Sequence, residues 1–381
     1  MNDFRASRVE VDLSAIRHNA TRLGELAGAA VCAVVKADGY GHGAVEVARA
    51  ALEGGAAWLA VALVEEGLVL RGAGIEAPIL VLAEPPVAAI PTLLDANLTA
   101  TVYREPFIAA IDAAGRGRGE PVPVHLKADT GMGRVGVPEA DWDARLRQVV
   151  AAEGLRVEGV FTHLACADEP DRDVTDVQLA AFDRFLDRAV KLGLPAPVWV
   201  HAANSAGTLL YPAARRELVR TGIALYGLSP AVGVDAADFG LRPALRLVTE
   251  VTFVKRVPAG TAVSYGHRWS APADGWVATL PLGYADGVPR ALTNAAEVLV
   301  GGVRRPIAGT VCMDQLLVWC GDDEVAVGDE AVLIGDQGDD RIRVEEWAAA
   351  ADTITYEIVT QLTARLPRVP LVDGRAAGGS R

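Results

Sequence analysis

Only four lysines, Lys36, Lys127, Lys191 and Lys255, stand among the 36 basic residues of this chain; the rest are arginine. An arginine keeps its proton, whereas a lysine amine can lose it and attack a carbonyl. Lys36 closes an apolar run, Val31 to Val35, and runs straight into the glycine-rich Ala37-Asp-Gly-Tyr-Gly-His-Gly43. A strand end followed by such a turn is where a barrel delivers a catalytic side chain. A solvated lysine at a strand end is the plain alternative.

Other polar residues recur at equivalent places. His125, Lys127 and Asp129 end a later apolar run, followed by Thr130-Gly-Met-Gly-Arg134-Val-Gly136. Further on come Thr162-His163, His201-Ala-Ala-Asn204-Ser205 and Arg220-Thr-Gly222-Ile223. Backbone N–H groups at a glycine turn and at a helix start, with the Ser205 hydroxyl, would hold a phosphate without a basic patch. A reactive lysine facing a phosphate site is the layout expected for pyridoxal phosphate. A helix cap at Asn204-Ser205 with no ligand remains the alternative.

Positioning these groups needs a regular frame. Short β-branched runs fall near 31–36, 58–62, 79–82, 99–102, 122–128, 157–163, 198–202 and 218–222, with helical patterns between them. The clearest helical patterns cover 43–54, 139–153 and 175–191. Eight βα units in about 200 residues predict an α/β fold with an N-terminal (β/α)8 TIM-type barrel. A doubly wound sheet would want Gly-x-Gly-x-x-Gly after its first strand, and Gly39-Tyr-Gly-His-Gly43 has another spacing.

After Pro230 the pattern changes to strands punctuated by glycine and proline: 246–254, 276–280, 297–300, 309–319 and 331–334. This predicts a mainly β C-terminal domain, with helices at 344–351 and 355–365. The expected bounds are 8–236 for the barrel and 237–381 for the β-domain, joined by the N-terminal strand 1–11. A helix is expected over 12–26, and the end from Gly374 is expected to fray.

Composition narrows the function classes. A net charge of −13 argues against a nucleic-acid surface. No apolar run approaches the roughly 18 residues that a membrane span needs. The beginning carries no signal-peptide pattern, and Cys32, Cys166, Cys312 and Cys320 lack paired metal spacing. A cytoplasmic protein with reduced thiols, without a metal and without nucleic-acid or membrane partners, is expected.

Several segments together resemble the bacterial alanine racemases. They are Val34-Val-Lys-Ala-Asp-Gly-Tyr-Gly-His-Gly43, Lys127-Ala-Asp-Thr-Gly-Met-Gly-Arg134, His163, His201-Ala-Ala-Asn-Ser205 and Arg220-Thr-Gly-Ile-Ala-Leu-Tyr-Gly227. In the second half they are Ser264-Tyr-Gly-His267, Pro281-Leu-Gly-Tyr-Ala-Asp-Gly287, Gly309-Thr-Val-Cys-Met-Asp-Gln315 and Thr355-Tyr-Glu357. The resemblance covers nearly the whole chain in order. It implies a homodimeric pyridoxal-phosphate enzyme that interconverts L- and D-alanine and supplies D-alanine for peptidoglycan.

The resemblance also implies residue roles. Lys36 would carry the cofactor and a proton on one face, with Tyr265 of the partner subunit serving the other. A tyrosine's ordinary pKa of about 10 makes it a poor base unless cationic neighbours or His163 assist. Arg220 would face the pyridine nitrogen without giving up a proton. Tyr40, His163, Tyr356, Asn204, Ser205, Gly222 and Ile223 would bind the cofactor, most of them at its phosphate. Arg134 and the backbone N–H of Met313 would hold the substrate carboxylate, supported by Cys312 and Asp314, with Cys312 and Met313, like Tyr265, coming from the partner subunit. Tyr284, Arg290 and Asp168 would line an entry corridor. Lys127 would be open to carbamylation, or would stay unmodified against Asp129. Thr310 stands where many relatives carry arginine, which leaves the charge of the outer gate open.

Rival enzymatic readings draw on the same residues. A metal-dependent amidohydrolase wants His-x-His after its first strand, where this chain has Lys36. A type III amino-acid decarboxylase shares the barrel and β-domain, and a racemase for other small amino acids would share the motifs.

Overall fold

The computed structural model describes residues 5–376, which form two compact units. One comprises residues 15–39 and 44–242; the other comprises 5–14, 40–43 and 243–376. The predicted fraying end lies outside the described residues from 377 on.

The first unit is a nearly closed parallel barrel. Its strands are Ala30–Val34, Trp58–Val61, Ile79–Val81, Thr99–Val102, Val122–Lys127, Leu155–Phe161, Trp199–His201 and Leu218–Thr221. Each pairs in parallel with the next as far as the seventh, and the eighth pairs with the first. No ladder joins the seventh to the eighth; just beyond that seam the Arg220 N–H donates to the Ala203 carbonyl at 3.0 Å. Strands two to four are buried along their whole length. Apolar runs without alternation are what helices on one face and a filled barrel on the other require. The intervening helices include Ala44–Glu53, Glu105–Arg118 and Val174–Lys191. Their apolar faces bury Val47, Ile108, Phe182 and Phe185.

Register sets which side chains meet inside. Lys127 lies beside Phe161, and Phe161 beside His201. Two residues deeper, His125 lies beside Gly159. A Cβ at Gly159 would fall 2.4 Å from the His125 Nδ1, so the glycine is what admits the imidazole.

In the second unit the strand Arg8–Asp12 lies between Leu245–Glu250, antiparallel, and Arg368–Val372, parallel. The same sheet continues through Glu330–Gln337, Glu297–Val300 and Val303–Pro306. A separate three-stranded sheet joins Phe253–Val257, Gly275–Leu280 and Leu316–Gly321. The expected strand 246–254 is therefore two strands in different sheets, broken at Val251 and Thr252.

Three other expectations are corrected. Residues 309–315 form a loop, and the strand begins only at Leu316. The helix expected over 355–365 stops at Thr360, where irregular turns lead into Pro367. The first barrel strand ends at Val34, and Lys36 begins a turn in which Ala37, Asp38, Gly39 and Tyr40 have φ of 51°, 52°, 61° and 52°.

Candidate active site

Lys36 therefore stands on a left-handed turn that sequence alone did not disclose. Two carboxylates hold this turn: Glu66 Oε1 accepts the Ala37 N–H at 2.6 Å, and Asp38 Oδ1 accepts the Ala44 N–H at 2.9 Å. Burial lowers the Lys36 pKa, and the Arg134 charge lowers it further against the opposing pull of Glu66.

Lys127 ends the fifth barrel strand at 5% exposure, with its Nζ 5.3 Å from the Phe161 ring centroid. Burial first, then Arg220 and Arg134, bring its pKa down to about 7. Asp129 pulls the other way, but its Oδ1 is used by the N–H groups of Gly131 and Gly133, at 3.0 and 3.1 Å. Among the described residues no ion pair links Asp129 to Lys127.

Arg220 is 3% exposed and 5.1 Å from the same Phe161 ring. It donates to the carbonyls of Thr162 and Ala202 at 2.8 and 3.0 Å, to His201 Nδ1 at 2.9 Å, and to His163 Nδ1 at 3.3 Å. Burial draws its pKa to about 10, which still leaves it charged near neutrality. A guanidinium only donates, so both Nδ1 atoms must accept. The His201 proton is then on Nε2, which lies 2.9 Å from His125 Nδ1. The His125 proton is in turn on Nε2, which has no hydrogen-bond partner and faces Glu158 at 3.8 Å.

Burial is the largest cause depressing all three histidines, with the Arg220 charge next. His163 also feels Lys127, Arg134 and Lys36, which lower its pKa further. His125 differs from the expectation of a strand-end group. It is fully buried below His201, its ring 5.0 Å from that of Trp58.

Ser205 begins the helix Ser205–Leu210, capped by Asn204, whose Oδ1 accepts the Gly207 N–H at 2.9 Å. Ser205 Oγ accepts from the N–H groups of Gly222 and Ala224, at 3.0 and 3.3 Å. Its two lone pairs are thereby used, and its proton is what remains to donate. Ile223 opens a 3₁₀ turn directly after Gly222. Asp168 is exposed.

The second unit holds the remaining candidates. Tyr40 and Tyr356 have ring centroids 6.1 Å apart, and burial pushes the Tyr40 phenol up to about 12. Tyr265 and Met313 are 73% and 53% exposed, while Cys312 is partly covered. A cavity of about 360 Å³ is lined by Ser264, Tyr265, Cys312, Gln315, Leu316 and Leu317. The N–H groups of Tyr284 and Ala285 donate to the Cys312 and Met313 carbonyls, both at 3.0 Å. A Cβ at Gly283 would fall 2.3 Å from the Cys312 carbonyl oxygen, so this approach needs glycine. Asp314 pairs with Arg365 at 2.9 Å, and Arg290 is exposed.

Comparison with known proteins matches residues 11–230 to the N-terminal domain of alanine racemase and 244–370 to its C-terminal domain. The chain belongs to the alanine racemase family. It is accordingly an isomerase that interconverts the enantiomers of alanine. The alanine racemase of Thermobifida fusca is 50% identical over 374 residues, covering 97% of this chain and 98% of that protein. That of Frankia casuarinae is 49% identical, covering 96% of each. The solved alanine racemase of D-cycloserine-producing Streptomyces lavendulae matches with a TM-score of 0.94 at 43% identity, covering 97% of this chain and 98% of that one.

Phe161, Glu66 and Gly159 shape the site without lying in any motif that marks them. Phe161 directly precedes Thr162-His163, but only inter-strand register puts it between Lys127 and His201.

Proposed function

We propose that the racemisation depends on pyridoxal phosphate and on two proton carriers, Lys36 and Tyr265 of the partner subunit, in a homodimer with shared active sites. The observation that carries this reading is the grouping of basic side chains at one end of the barrel: Arg134 acts on Lys36, and Lys127 and Arg220 stand 5.3 and 5.1 Å from the same Phe161 ring. Such a cluster suits an anionic ligand, and the Ser205 hydroxyl with the chain starts at Ser205 and Ile223 suits its phosphate. Asn204 fixes the Ser205 helix start, and Gly222 lets the backbone approach. Tyr40 and Tyr356 are proposed as further phosphate donors on the strength of the motif resemblance. When bound, pyridoxal phosphate supplies a conjugated electron-withdrawing system that acidifies the α-hydrogen of an attached amino acid.

The protein's own groups divide the remaining work. Lys36, with its lowered pKa, gives up its proton more readily than an ordinary lysine and serves as base on one face. Tyr265 of the partner subunit serves the opposite face. Arg220 orients a ring acceptor by donation and offers no acid proton. Arg134 and the backbone N–H of the partner's Met313 hold the substrate carboxylate, with the partner's Cys312 and the partner's Asp314 shaping that loop. Tyr284, Arg290 and Asp168, all exposed, are proposed to line the approach.

Lys127, with a pKa of about 7, is substantially neutral at physiological pH. Its Nζ can attack carbon dioxide and lose a proton, giving a carbamate anion suited to hold Arg134. The exposed Tyr265 and Met313 beside an apolar-floored cavity favour a second copy of the chain as partner. Four free cysteines favour a reducing cytoplasm, and D-alanine made there would serve peptidoglycan. Among the described residues no helix is long and apolar enough to cross a membrane.

The bound L-Ala-P in the solved Bacillus anthracis alanine racemase, 39% identical and covering 99% of this chain, fits an alanine-sized site. Chiral analysis of the cofactor-loaded protein over a panel of small amino acids, with carbon dioxide measured in parallel, tests the proposal. Either alanine enantiomer should move toward an equal mixture without carbon dioxide release. Decarboxylation without racemisation would refute it.

A further inference from the structure

Within its own chain Tyr265 is 73% exposed, so packing from that chain does little to set where its phenol stands. Its backbone must do so, and that backbone is strained. Ser264 has φ 63° with ψ 179°, Gly266 has φ 73° and His267 has φ 47°. Conformations of this kind cost about 1–3 kcal/mol each at a residue other than glycine and persist only where neighbours over-determine them.

The over-determination comes from the loop at 309–312. Thr310 is 3% exposed, and its Oγ1 donates to the Tyr265 carbonyl at 2.7 Å. In return Ser264 Oγ donates to the Thr310 carbonyl, also at 2.7 Å. A second rung runs through Asn294, whose Oδ1 accepts the Gly309 N–H at 2.7 Å while its Nδ2 donates to the Arg268 carbonyl at 3.1 Å. Val311 is tied by its N–H to Thr293 Oγ1 at 3.2 Å. The two loops thus interlock on both sides of Tyr265. One bond of the set, the Thr310 hydroxyl, ends on the tyrosine itself.

We infer that Thr310 is a positioning residue that aims the Tyr265 phenol by pinning its carbonyl. The inference rests on the acid–base role proposed for Tyr265. It gives a reason for a hydroxyl at this position: a short, buried donor reaches the Tyr265 carbonyl at 2.7 Å. A displacement of about 1 Å in a proton carrier can cost roughly a hundredfold in rate. A lost pin should therefore cost on the order of tenfold to a hundredfold, on one face only.

The test compares Thr310→Val, which keeps the shape without the donor, with Thr310→Ser, which keeps the donor, in the cofactor-loaded dimer. Exchange of the α-hydrogen into deuterated solvent is followed from each alanine enantiomer, and amide exchange is followed over residues 264–268. Thr310→Val should slow α-hydrogen exchange from L-alanine far more than from D-alanine and speed amide exchange over 264–268. It should leave Gly275–Leu280 and Leu316–Gly321 protected. Thr310→Ser should restore both readouts. Ser264→Ala, which removes the reciprocal bond, should act in the same direction more weakly and serves if Thr310→Val does not fold. A Thr310→Val enzyme that matches wild type while Tyr265→Phe is impaired would overturn the pin, as would equal losses from both enantiomers. Wild-type exchange in Tyr265→Phe would be a different failure, that of the acid–base role itself.

Discussion

The barrel mouth and the loop cluster around Tyr265 make reactive groups by opposite means. In the barrel, Lys36 and Lys127 are covered by protein and crowded by arginine, and their proton affinities fall. Around Tyr265 the side chain is open, and the protein acts on the backbone through Thr310, Ser264 and Asn294. Covered groups are tuned electrically, Lys127 from a strand end and Lys36 from a turn braced by Glu66 and Asp38. An exposed group has to be aimed, and its polish depends on hydrogen bonds one residue removed from the chemistry. Substitutions should therefore read differently in the two regions.

The largest effect belongs to the barrel. Lys36→Arg keeps the charge and the fold but removes the amine that can lose a proton, so racemisation should fall by at least about 10³-fold. Borohydride treatment of the loaded wild type followed by peptide mapping should put the label on Lys36; a label on Lys127 would reverse the assignment. Tyr265→Phe should come next. α-Hydrogen exchange from L-alanine should fall by about 10²-fold or more, with D-alanine affected far less. Equal losses would mean that the two groups do not serve opposite faces.

Mixing Lys36→Ala with Tyr265→Ala asks whether the two regions meet across a subunit boundary. In a mixed dimer one site takes both lesions and the other takes neither. With free exchange about half the dimers are mixed, so roughly a quarter of wild-type sites should return. Proven exchange without recovery would confine each site to one chain.

The mildest effect sharpens the electrical side of the comparison. With carbon dioxide excluded so that its amine stays free, Lys127 titrates at about 7 in the folded protein against an ordinary 10.5. Between those values the unfolded chain holds a proton that the folded chain has released, so stability rises with pH across the window. Below it both states are protonated and the cost is fully present. Lys127→Met should flatten the pH dependence of the urea midpoint between about 7 and 10.5. An unchanged slope would point to another group.

The barrel was legible because its signals are local: β-branched runs at regular spacing, each ended by a polar residue. Thr310-Val-Cys-Met has strand-like composition although residues 309–315 form a loop, and nothing local records its bonds to Asn294 and Thr293. The helix from Thr355 looked longer because Ile358, Val359 and Leu362 share a helical face. Burial of Leu362 survives, but in an irregular segment. The histidine chain behind Arg220 depends on inter-strand register and on Gly159, neither of which one strand's residues disclose.

The left-handed turn after Lys36 inverts the usual rules of mutational tolerance. Ala37 and Asp38 hold a conformation that costs an L-residue about 1–2 kcal/mol and costs glycine almost nothing. Ala37→Gly, ordinarily a loss, should leave melting temperature unchanged or raise it, whereas Ala37→Val should lower it sharply. A library selected here for heat resistance alone would drift toward glycine and slacken the seat of Lys36. One selected for turnover would keep the costlier residues, and the ratio of the two outcomes would measure how much rigidity the lysine needs.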